Sequence, residues 1–168
     1  MIAVLGAGNW GTTLADLIAS NGHAVRLWTR QPEQREEINA RHTNEGAVPG
    51  LRIAEGVSAT SELGEAVRGA ELVVVVIPSQ GFREVSSALG DVLAPEQVVL
   101  HATKGLERES NVRMTEILLQ ETCARQIGVI SGPTSPRRSP ARSPRERWSR
   151  RASLTSSSWV AGPSRAHG

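Results

Sequence analysis

Apolar residues fall along this chain in two rhythms. Continuous runs at residues 1–5, 24–28, 57–60, 71–78, 97–101 and 126–130 predict strands. Between them, apolar positions recur at helical spacing. Leu14, Leu17 and Ile18 mark a helix over 12–21, which Asn21-Gly22 ends with residues that tolerate left-handed backbone. A charged helix over 32–41 opens on Pro32, a short one over 62–67 is capped by Ser61, and another spans 82–89. Val112, Ile117, Leu118 and Leu119 give a mixed apolar face to a helix over 111–122. Residues 42–56 read as a loop with a short extended piece at 51–53. The run ELVVVVIP at 71–78 is continuously β-branched from Val73 to Ile77, as a central strand covered on both faces requires, and Pro78 cannot continue the ladder. Strand–helix alternation this regular predicts an α/β fold with a doubly wound parallel sheet.

The opening, MIAVLGAGNWG, adds chemistry to that outline. A buried strand runs into Gly6, Gly8 and Gly11 at the point where the first helix begins. In this G-x-G-x-x-G spacing the first glycine permits a tight turn. The second lets a pyrophosphate approach the backbone, and the third lets the helix pack on the sheet. The helix N-terminus supplies N–H groups and the positive end of its dipole. The expectation is a Rossmann-type dinucleotide site.

The residues just past the second strand bear on the cofactor. An Asp or Glu there would accept a hydrogen bond from the ribose 2′-hydroxyl and repel a 2′-phosphate. The chain has Thr29-Arg30 instead, and a guanidinium pairs with phosphate and stacks on adenine. NADP is therefore favoured, with NAD left open. Lys104, the only lysine, lies past the strand at 97–101 and beside Gly105, where doubly wound sheets bind ligands. Its ammonium suits a phosphate or carboxylate. His101, inside that strand, reads as a packed histidine, and Cys123 as an idle thiol.

The 168 residues fit one domain, and 39% hydrophobic content supplies a core. No apolar run reaches the ~20 residues of a membrane span. No basic segment precedes the opening run, and one cysteine allows no internal disulfide, so a cytoplasmic protein is expected. The net charge of +2 averages an acidic body, −5 up to Thr134, with an arginine-rich remainder of +7. The high pI is thus no sign of nucleic-acid binding.

Four stretches in register carry a family resemblance. GAGNWGTTLA at 6–15, VIPSQGFREV at 76–85, ATKGLE at 102–107 and SGPT at 131–134 resemble bacterial NAD(P)-dependent glycerol-3-phosphate dehydrogenases. The resemblance implies reduction of dihydroxyacetone phosphate to sn-glycerol 3-phosphate for phospholipid synthesis. It implies that Asn9 and Trp10 flank the cofactor phosphates, that Arg30 lies at the adenosine ribose, and that Lys104 touches cofactor and substrate. Gly132 and Thr134 would belong to the substrate site. In the intact family a homodimer is implied.

The resemblance covers residues 1–134, read as a truncated nucleotide-binding domain. Residues 135–168, rich in Arg, Ser and Pro, lack apolar periodicity and are expected to be disordered. The family instead continues with a Phe-Ala-Glu-Glu-Val-like segment and a helical substrate domain that supplies the general acid–base lysine. Ser135-Pro136-Arg137-Arg138-Ser139-Pro140, read one base out of frame, can encode such a segment, so a frameshift is expected and the coding nucleotide sequence tests it. No residue of 1–134 presents itself as the catalytic base, and no metal site is expected. A cofactor-binding fragment with little turnover is the reading. A non-catalytic nucleotide-binding module and a related NAD(P)-dependent reductase of another small substrate remain the alternatives.

Overall fold

The computed structural model describes residues 1–108 and 110–131, together with the backbone of 159–161. β1 (Ile2–Leu5), α1 (Asn9–Ser20), β2 (Val25–Trp28), α2 (Pro32–Arg41), β3 (Val57–Thr60) and α3 (Leu63–Val67) come first. They are followed by β4 (Leu72–Val75), α4 (Phe82–Gly90), β5 (Val98–His101), α5 (Met114–Glu121) and β6 (Gln126–Val129). The six strands pair in parallel in the order β3-β2-β1-β4-β5-β6. The order reverses between β1 and β4, which is the switch point of a doubly wound sheet. Beyond β6, β7 (Trp159–Ala161) runs antiparallel to it, with Ile127 opposite Val160. β7 is the described part of the stretch expected to be disordered. The rest of that expectation, and the positions Gly132 and Thr134, lie outside the described residues.

Strand alternation divides the core in two. Ala3, Leu5, Val73, Val75 and Val99 point to the face covered by α3, α4 and α5, where they meet Ala66, Phe82, Leu89 and Ile117. Val4, Leu27, Val57 and Val74 point to the other face, against Leu14, Ala15 and Ile38 of α1 and α2. Ile53, in the long loop, is buried in this second cluster without forming a strand. Val98 and Leu100, also on the second face, stay half-buried and belong to neither cluster.

Several element ends differ from the sequence expectation, each for a local reason. α1 starts at Asn9 rather than Thr12, because the helix takes up the last part of the glycine turn. Ser61 does not cap α3: its hydroxyl is buried without a partner. Thr60 Oγ1 accepts from the Glu62 N–H instead and donates to the Glu65 carboxylate. α5 starts at Met114, not 111, because Asn111 is left-handed (φ 56°). Arg113 is its N-cap, and the Glu116 carboxylate accepts from the Arg113 backbone N–H. Leu119 is 39% exposed, off the buried stripe that holds Met114, Ile117 and Leu118.

Candidate functional site

The glycine turn joins β1 to α1 at the carboxyl edge of the sheet. Gly6 has φ +115°, and a Cβ on it would lie 2.3 Å from the Val76 carbonyl oxygen. A Cβ on Gly11 would lie 1.8 Å from the Gly6 carbonyl oxygen, so α1 sits directly against the turn. Both positions exclude any side chain. Gly8 differs: a Cβ there meets nothing within 4 Å. Its exposed backbone is the N-cap of α1, with no side chain capping the helix, and Asn9 beside it is exposed while Trp10 is half-buried. The turn therefore presents open space at a helix N-terminus, which suits a phosphate group.

A buried polar network holds this turn. The Thr12 hydroxyl donates to the Ala7 carbonyl at 3.2 Å. Asn44 Nδ2 lies 2.9 Å from both the Ala7 carbonyl and Thr12 Oγ1. Asn44 Oδ1 accepts from Gln34 Nε2, and Gln34 Oε1 accepts from the Thr29 hydroxyl at 2.6 Å. The chain of bonds thus runs from the end of β2 to the glycine turn. It also occupies Thr29, whose oxygen accepts from the Gln31 N–H as well, so the exposed group at the end of β2 is Arg30. The Arg30 guanidinium lies 5.8 Å from the centre of the Trp28 ring and 3.1 Å from a Glu84 carboxylate oxygen.

Two further loops leave the same edge. After β4, the chain passes through Pro78 into a single 3-10 turn, Ser79–Gly81, that feeds α4. After β5, the Thr103 hydroxyl donates to the Ile77 carbonyl at 2.7 Å and joins the two loops. Lys104 follows, exposed, next to Gly105 with φ +100°. Arg83 of α4 clamps this loop. Its guanidinium grips both Glu107 oxygens, at 2.7 and 2.9 Å, and also pairs with Glu121 of α5. The two carboxylates hold the Arg83 guanidinium above its ordinary range. The guanidinium and the Ser110 hydroxyl bring the Glu107 carboxyl down to about 2. His101 is packed, as expected: it stands edge-on to Phe82, with Nδ1 3.2 Å from the Thr103 carbonyl and Nε2 2.9 Å from Thr115 Oγ1. Burial pushes its pKa down and keeps it neutral.

The fold thus brings Gly6, Gly8, Asn9, Trp10, Gly11, Arg30 and Lys104 to one edge, over the adjacent strands β2, β1, β4 and β5. A hollow lined by Gly64, Arg68, Glu71, Val92, Glu96 and Gln97 lies at the opposite edge, and contains none of them. Among the described residues, no group of three or more His, Cys, Asp or Glu is placed to hold a metal. No described helix is long and apolar enough to cross a membrane. Asn44, Glu84 and the Arg83–Glu107 clamp are additions that only the structure supplies. Asn44 lies in a stretch that reads merely as loop, and Arg83 meets Glu107 across 24 positions.

The family model for the N-terminus of NAD-dependent glycerol-3-phosphate dehydrogenase matches residues 1–137. The chain belongs to this dehydrogenase family. A glycerol-3-phosphate dehydrogenase (NAD(P)+) of Lactiplantibacillus plantarum is 45% identical over 139 residues, which are 79% of this chain and 41% of that one. Among solved structures, the glycerol-3-phosphate dehydrogenase of Coxiella burnetii matches with TM-score 0.74 and 32% identity over 80% of this chain and 41% of that one. That of Saccharomyces cerevisiae matches with TM-score 0.73 and 27% identity, covering 80% and 42%. The chain therefore spans about two fifths of the length of these dehydrogenases, the share that carries the dinucleotide fold.

Proposed function

We propose that this chain supplies the cofactor-binding part of a glycerol-3-phosphate dehydrogenase that reduces dihydroxyacetone phosphate. The observation that carries the reading is Gly8, whose missing side chain leaves nothing within 4 Å above an uncapped helix N-terminus. Gly6, Gly8, Asn9, Trp10 and Gly11 receive the pyrophosphate, and the helix dipole adds attraction. Arg30 takes the adenosine end and favours NADP over NAD, since Thr29 is consumed internally and no acidic side chain ends β2. Lys104, on the loop that the Arg83–Glu107 pair ties to α4, supplies a compact positive charge for the substrate phosphate. Gly132 and Thr134 take the remaining substrate contacts. The bound nicotinamide supplies the hydride.

Turnover needs a proton donor within ~3 Å of the substrate oxygen. Lys104 is the only lysine of the sequence, and its role here is binding. We therefore expect cofactor binding with little or no reduction of dihydroxyacetone phosphate. The acidic charge of residues 1–134 disfavours a nucleic-acid partner. For the whole enzyme we propose a cytoplasmic homodimer.

The test is a fluorescence titration of the purified chain with NADPH, beside Gly8→Val. The Gly8 backbone (φ −71°, ψ −179°) suits any residue, so the variant keeps its circular dichroism. We expect the parent to bind and Gly8→Val to bind at least about tenfold more weakly, the equivalent of roughly 1.4 kcal/mol. Equal binding by both would place the nucleotide elsewhere.

A further inference from the structure

We propose that Glu84 is a cofactor-specificity residue: it supplies from α4 the carboxylate that the end of β2 lacks. The sequence offers no sign of this, because 54 positions separate Glu84 from Arg30. The fold closes that gap. Arg30 lies two residues past β2 and Glu84 lies in the first turn of α4, and Arg30 Nη2 stands 3.1 Å from Glu84 Oε1. The guanidinium is also held near Trp28, at 5.8 Å from the ring centre. Both charged side chains are largely solvent-exposed, 53% and 72%, so neither is locked into the core and each can turn to a ligand.

The pair answers differently to the two nucleotides. A 2′-phosphate needs the guanidinium and must take it from Glu84 while meeting the repulsion of the same carboxylate. A free ribose 2′-hydroxyl leaves the ion pair intact and can donate to the Glu84 oxygen, as it donates to the acidic residue at the end of β2 in NAD-binding sheets. Glu84 thus opposes the preference that Arg30 creates, and the two together allow both cofactors. An exposed carboxylate in the first turn of a helix also has a simpler use, favourable interaction with the helix dipole. That use would not depend on Arg30 and would not distinguish two nucleotides.

Glu84 has this role only if the nucleotide lies on the glycine turn with its ribose at Arg30, as proposed above. The experiment titrates NADPH and NADH separately into the full chain and into Glu84→Gln, Arg30→Gln and the double variant. Exposure of both side chains keeps all four folded, which circular dichroism checks. We expect Glu84→Gln to shift the NADPH-to-NADH affinity ratio about threefold to fivefold towards NADPH, the span open to an exposed ion pair. In the Arg30→Gln background the same change should shift the ratio by clearly less, because only the direct effect of the carboxylate on the ribose end remains, and that difference marks the two residues as coupled. An unchanged ratio in Glu84→Gln, or an equal shift with and without Arg30, overturns the role of Glu84 and leaves the cofactor site standing. No binding of either nucleotide to the parent chain overturns both.

Discussion

Asn44 Nδ2 donates to the carbonyl oxygen of Ala7 at 2.9 Å, so a side chain from the long loop after α2 holds the glycine turn from beneath. Asn44 is 1% exposed, and its other neighbours are Thr12 and Gln34. Asn44→Ala leaves the Ala7 carbonyl and the Gln34 amide short of a partner. It should lower unfolding stability by about 1–3 kcal/mol. It should also weaken NADPH binding, since the turn loses its brace. Urea unfolding and nucleotide titration of the same variant check both effects.

The three glycines of the turn should separate by stability. Gly11→Ala drives a methyl group against the Gly6 carbonyl, and Gly6→Ala adds left-handed strain to a clash with Val76. Each should cost on the order of 4 kcal/mol or more, or prevent folding. Gly8→Ala, with open space above it, should cost no more than about 1 kcal/mol, the loss expected when an N-cap glycine becomes alanine. Denaturant midpoints for the three variants decide this; a large loss at Gly8 would contradict the open geometry.

The Arg83–Glu107 clamp should release in acid. Glu107 is brought from the ordinary carboxylate value of 4.5 to about 2 by Arg83 and Ser110. Its folded-state pKa is depressed, so its contribution is present above about pH 4.5 and is lost as pH falls towards 2. Amide protection factors for residues 104–108 and 110–112, taken relative to intrinsic exchange at each pH, should therefore fall below about pH 4.5. Glu107→Gln should show the lowered protection already at neutral pH and lose that acid step.

His101 acts in a separate window. Burial lowers its pKa, so the unfolded chain binds the proton more tightly than the folded one. Stability from the neutral imidazole is complete above about pH 6.5 and declines as pH falls below it. His101→Gln should flatten the pH dependence of the urea midpoint between about pH 6.5 and the folded-state pKa. A slope identical to that of the parent would show that His101 does not carry it.

Elements were legible in the sequence wherever one physical requirement dominated. The run at 71–78 had to lie inside a sheet, since no half-exposed strand is β-branched on both faces. Its observed strand is shorter, Leu72–Val75, because the chain has already turned out of the ladder before Pro78. Ends set by side-chain competition were harder to read. Ser61 reads as a cap, yet the N-cap of α3 is Glu62 without a side-chain cap, and it is Thr60 that bonds the Glu62 N–H and the Glu65 carboxylate.

From the residues alone followed the doubly wound fold, the glycine turn and the cation at the ends of β2 and β5, because periodicity and backbone sterics are local. Tertiary structure decided which groups meet. Asn44 reaches Ala7, Arg83 reaches Glu107 and Glu84 reaches Arg30 only after the parallel crossovers bring distant loops to one edge. Side-chain pairing across that edge depends on where whole helices pack, and no local pattern encodes it.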